Sequence, residues 1–103
     1  MANITEVMKK FIEDIVKMMV DKKEEVEITV SSTTKSILIQ IKVSKPDIGK
    51  VIGRKGRSIE ALKILSTVVK NTQFLGDTKD VFIEIIEDEK SNFFKEKVLN
   101  KQI

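Results

Sequence analysis

The residue types best suited to chemistry gather in one stretch, residues 49–59, which reads GKVIGRKGRSI. Gly49, Gly53 and Gly56 fall close together, Arg54 and Lys55 sit between the last two, and Arg57 follows at once. Glycine lets a backbone come near another molecule, since no Cβ stands in the way and left-handed conformations are open to it. The cations say that this molecule is negative. From residue 42 to residue 57 there are six cations (Lys42, Lys45, Lys50, Arg54, Lys55, Arg57) against one acid, Asp47. That window carries +5 in a chain of net charge +3, so the positive charge is concentrated around the glycines.

Two phosphate-binding patterns fail on these residues. The dinucleotide fingerprint G-x-G-x-x-G needs a preceding strand and a glycine where Val51 stands. The P-loop G-x-x-x-x-G-K-[ST], started at Gly49, needs its second glycine at Arg54. What remains is G-x-x-G with a cation at both inner positions. A helix that starts just after it aims its free N–H groups and the positive end of its dipole at the loop. The sum is a ledge for phosphate groups, with a sharp helix–helix turn carrying solvated charges as the plainer reading.

Composition narrows what else could happen there. The chain has no cysteine and no histidine, so disulfides, thiolate zinc sites and Ser-His or Cys-His nucleophiles are excluded. An enzyme would have to work with carboxylates, lysines and hydroxyls. Its one acidic candidate, the run Glu87, Asp88, Glu89, reads more simply as solvated charge. No catalytic residue, metal or cofactor is expected. Length (103 residues), apolar content (41%) and charged content (34%) fit one small globular domain. No apolar run is long enough to span a bilayer, and the opening MANITEVMKKF lacks a signal-peptide layout, so a cytoplasmic location is the expectation.

The elements that must hold the ledge follow from periodicity. Residues 4–20 place Met8, Phe11, Ile12, Ile15 and Met19 on one helical stripe, with Asn3 as N-cap and Glu6 completing a capping box. Residues 26–31 (VEITVS) alternate as a strand, SSTTK turns, and residues 36–43 (SILIQIKV) put Ile37, Ile39, Ile41 and Val43 on one face. These two strands are read as an antiparallel hairpin. Ser44 as N-cap and Pro46 in the first turn open a short helix to residue 52. After the interruption at residues 53–56, a second helix runs over residues 58–70, with Ile59, Leu62, Leu65 and Val69 on its inner face and Ile64 and Val68 widening it. Residues 71–80 are a loop, and residues 81–87 (VFIEIIE) a third strand. The third strand lies parallel beside the second, because two helices cross over between them. The fold class is therefore α+β in the order α-β-β-α-α-β, a three-stranded mixed sheet covered on one face by helices. Residues 88–103 form a charged tail with Phe93, Phe94, Val98 and Leu99, either frayed or a short terminal helix.

VIGRKGRSI within that frame resembles the type II, bacterial form of the KH domain, over residues 4–87. The chain is similar to the small single-KH proteins of the KhpA family. The resemblance implies a non-catalytic binder of single-stranded RNA, of the RNA-chaperone or post-transcriptional-regulator type, that grips about four nucleotides. It implies phosphate contacts from Arg54, Lys55 and Arg57, close approach at Gly53 and Gly56, and an electrostatic track extended by Lys42 and Lys50. Val51, Ile52 and Ile59, with Leu62, would meet the bases, though Ile59 and Leu62 read equally as core. The strand around residues 39–43 would offer its backbone to base edges. A homodimer, or a heterodimer with a larger KH protein of the Jag type, is the implied assembly, and cell shape the implied setting. The alternative is a KH-shaped adaptor acting mainly through a protein partner. Readers of bases by aromatic stacking fit less well: the five phenylalanines are scattered and make no RNP pattern.

Overall fold

The computed structural model describes residues 3–87; the expectation for the tail at 88–103 lies outside them. Helix α1 (Ile4–Met19) is capped by Asn3, whose Oδ1 accepts from the Glu6 N–H at 2.9 Å. Glu6 does not reach back to the backbone, as a full capping box would; its carboxylate accepts from the Asn3 amide at 3.4 Å. Met8, Ile12 and Val16 are wholly buried, with Phe11, Ile15 and Met19 packed at the margin.

Strand β1 (Glu27–Ser32) pairs antiparallel with β2 (Ser36–Lys42), in a register that sets Val30 against Ile39. Thr33 closes the hairpin: its N–H donates to Ser36 O at 2.8 Å and its hydroxyl accepts from the Ser36 N–H at 3.0 Å. Strand β3 (Asp80–Ile86) pairs parallel with β2, so β2 is central in the order β1-β2-β3. Ile37, Ile39 and Ile41 form the buried face and meet Val81, Ile83 and Ile85 across the parallel pair. On the outer face Gln40 donates to Glu84 at 2.8 Å. The fold class and the topology are those expected from the sequence.

Between β2 and β3 run α2 (Ile48–Ile52) and α3 (Arg57–Gln73). Two expectations are corrected here. Ser44 does not cap a helix backbone. A 3-10 turn at Lys45–Asp47 precedes α2, and the Ser44 hydroxyl donates instead to the Asp47 carboxylate at 2.8 Å. The second correction concerns α3, which buries Leu62, Ser66 and Lys70, while Ile64, Leu65 and Val68 face outward at 54%, 46% and 53% exposure. The helix carries apolar residues on two faces, and the sheet takes the one that also carries a serine and a lysine. Among the described residues, no helix is long and apolar enough to cross a membrane.

Candidate functional site

The G-x-x-G turn is built from backbone conformations that few residues adopt. Gly53 stands at φ 77°, ψ 171°, its N–H donating to Gly49 O at 2.8 Å to end α2. A Cβ on Gly53 would lie 2.2 Å from Ser58 Oγ and 2.8 Å from the Ser58 nitrogen, so conformation and space both demand glycine. Gly56, at φ 73°, ψ 16°, is left-handed but faces open space, so conformation alone selects glycine there. Between them Lys55 sits at φ 57°, ψ 26°, the one non-glycine residue with positive φ among those described. A left-handed L-residue costs about 1–2 kcal/mol, and here that cost falls on a cation pointing into solvent.

Arg54, Lys55 and Arg57 are all exposed, and among the described residues no carboxylate pairs with any of them. Arg57 is the first residue of α3, and no side chain caps that helix. Its first N–H groups and its dipole therefore sit beside the three cations, an arrangement suited to phosphate oxygens.

The other expected residues divide differently. Ile52 and Ile59 are half-buried at the margin of the turn, whereas Val51 (0% exposed) and Leu62 (3%) are core and have no surface to offer a base. Strand β2 is hydrogen-bonded on both sides from Ser36 to Lys42, so its backbone is not open to base edges; the unpaired strand edges belong to β1 and β3. Lys42, at the exposed end of β2, lies 3.9 Å from a Glu27 carboxylate oxygen.

Lys50 is held rather than free. Its Nζ lies 2.5 Å from Asp21 Oδ2 and 3.1 Å from Asp47 Oδ1. Asp47 is the hub: besides Lys50 it accepts from the Lys22 N–H at 3.0 Å and the Ser44 hydroxyl at 2.8 Å, and its side chain is only 2% exposed. The Lys22 N–H, followed by Ser44 and Lys50, holds its carboxyl well below the usual carboxylate range. Asp21 first, then Asp47, raise the pKa of Lys50. Sequence reasoning missed this network, which ties the connection after α1 to the start of α2. The isolated acid Asp47 inside a basic window was the one signal that could have found it.

Comparison with known proteins agrees with this geometry. The family described as "KhpA/KhpB, KH domain" matches residues 9–85. The chain is 41% identical over 81 residues to the RNA-binding protein KhpA of Chlamydia caviae, covering 79% of this chain and 99% of that one. It is 42% identical over 79 residues to the RNA-binding protein KhpA of Clostridium perfringens, covering 77% and 100%. It is 39% identical over 80 residues to the protein of the same name from Listeria monocytogenes, covering 78% and 100%. With a family match that runs from α1 through β3, and relatives about 40% identical over nearly their whole length, this chain belongs to the KhpA/KhpB KH-domain family.

Proposed function

We propose that this protein holds single-stranded RNA, about four nucleotides at a time, without chemically altering it. One observation carries the reading: three exposed cations, without acidic partners among the described residues, stand on a glycine turn at the uncapped start of α3. Arg54, Lys55 and Arg57 neutralise phosphates, Gly53 and Gly56 shape the turn that lets the strand approach, and Ile52 and Ile59 give apolar surface to the bases. Val51 supports the ledge from the core. Lys42 adds long-range field only. The names of the relatives favour the same ligand.

The test is anisotropy titration of short random-sequence RNA with wild type and with the Arg54→Asp, Lys55→Asp variant at two salt concentrations. Binding weakens at least tenfold in the variant, and the salt slope falls by about 1.4, roughly 0.7 for each lost single-strand phosphate contact. Equal affinity in a folded variant removes the ledge mechanism.

A second reading, assembly through a KH-like partner, is favoured by the outward face of α3, where Ile64, Leu65 and Val68 are about half exposed. Such a patch suits a second copy or a larger KH protein, and pairing would place two ledges on one RNA. Light scattering after nuclease treatment gives a dimer mass if the pairing is direct, and a monomer mass if RNA alone bridges the copies.

A further inference from the structure

Lys50 stands on α2, three residues before Gly53, with its side chain 44% exposed and its charge engaged by two carboxylates. The two differ in kind. Asp47 is buried and, besides Lys50, holds the Ser44 hydroxyl and the Lys22 N–H on its other carboxylate oxygen. Asp21 has an 82% exposed side chain, placed by the end of α1, and the Lys50 ammonium is its one ion-pair partner among the described residues. A carboxylate and a phosphodiester offer an ammonium the same thing, an anionic oxygen at hydrogen-bond distance. Exposed ion pairs are weak and screened by salt, so they exchange readily for a stronger or more numerous anion.

We propose that Asp21 is a built-in competitor for the phosphates of the bound strand: it occupies Lys50 in the free protein and is displaced as the strand enters. The proposal rests on the RNA-holding reading above. In it, Lys50 contributes to binding only the difference between a phosphate and Asp21, which keeps the affinity of the ledge low and the exchange of strands quick. Asp47 has another task. It stays in place and keeps Lys50 near the ledge during the exchange.

The experiment is a double-mutant cycle of Asp21→Asn and Lys50→Met, read by anisotropy with short random-sequence single-stranded RNA across salt concentrations, with thermal melts of each variant. Asp21→Asn tightens binding about three- to tenfold at low salt and steepens the salt slope by about 0.7, one phosphate contact. In the Lys50→Met background the same change gives less than a twofold effect. Three results overturn the proposal: no change with Asp21→Asn, equal tightening in both backgrounds, or weaker binding together with a lowered melting temperature. Equal tightening would mean a general field effect, and the lowered melting temperature would mark the pair as a structural anchor. The Arg54→Asp, Lys55→Asp variant separates the two levels. Binding that needs those cations but ignores Asp21 sinks the competitor alone, whereas binding that ignores those cations sinks the ledge and the competitor with it.

Discussion

Helix α3 starts and finishes at glycine turns, and the two turns treat their cations in opposite ways. At the start, Arg54, Lys55 and Arg57 point outward without acidic partners among the described residues. At the finish, Gly76 is at φ 85°, and Lys70 folds inward with a side chain 4% exposed. The Lys70 ammonium donates to the Lys79 carbonyl and to the Asp77 carbonyl at 3.4 Å, and lies 3.4 Å from the Asp77 carboxylate. Asp77 also accepts from the Lys79 N–H at 2.8 Å and pairs with the Lys79 ammonium at 3.1 Å. The second turn closes its charges on itself; the first leaves them exposed, without an acidic partner among the described residues. A cation near a glycine is therefore no sign of binding by itself. What distinguishes the two is whether the surrounding backbone and acids have already satisfied it.

That contrast can be pressed from either side. The largest effect belongs to Gly53→Ala, which meets both a forbidden conformation and the Ser58 side chain: it costs about 3 kcal/mol and at least tenfold in RNA affinity. Gly56→Ala, strained but with room, costs about 1 kcal/mol. Equal melting temperatures for these two variants would show that the Ser58 contact does not govern the turn. Next comes Lys70→Met at the opposite turn, which strips charged hydrogen bonds from two carbonyls and a carboxylate. It costs about 2 kcal/mol and leaves RNA affinity within twofold. Lost affinity in a folded Lys70→Met protein would join the two turns functionally and break the comparison.

The smallest effect is on acid stability. The Lys79 N–H chiefly depresses the Asp77 carboxyl, as the Lys22 N–H depresses Asp47, each from an ordinary value of 3.8. Groups depressed on folding stabilise the protein fully above that value, and their contribution fades as pH falls toward the folded one. Urea melts between about pH 5 and pH 3 should therefore fall more steeply for wild type than for Asp77→Asn. Parallel curves would mean that the carboxylate is not what closes the second turn.

Much of this was legible beforehand. Period-2 and helical patterning located α1, the hairpin and β3 to within about a residue or two at most ends, and the crossover length implied the parallel pair. The glycine turn was visible because its backbone needs are written in residue type. Three features were not. Counting charge along the chain cannot see Asp21, which reaches Lys50 from the connection after α1, or Glu27, which faces Lys42 from the neighbouring strand β1. Apolar periodicity could not choose between the two faces of α3, since the buried one includes Ser66 and Lys70, which such patterns count as outward. Ser44 looked like a cap because serine is a favoured N-cap and Pro46 suits a first helical turn; here a buried carboxylate three residues on takes its hydroxyl.

The parallel pairing of β2 with β3 also bears on how the protein is made. Gln40 and Glu84 are partners 44 residues apart, and every ladder bond between these strands closes a loop of similar length. During synthesis the hairpin emerges before β3, and the backbone edge of β2, the strand that carries Ile37, Ile39 and Ile41 on its inner face, stays open until residues 80–86 have left the ribosome. Long-range pairings of this kind close late and slowly, and open apolar edges attract other chains meanwhile. The nascent protein is thus most vulnerable to aggregation after its glycine turn already exists and before the strand that completes the sheet has arrived.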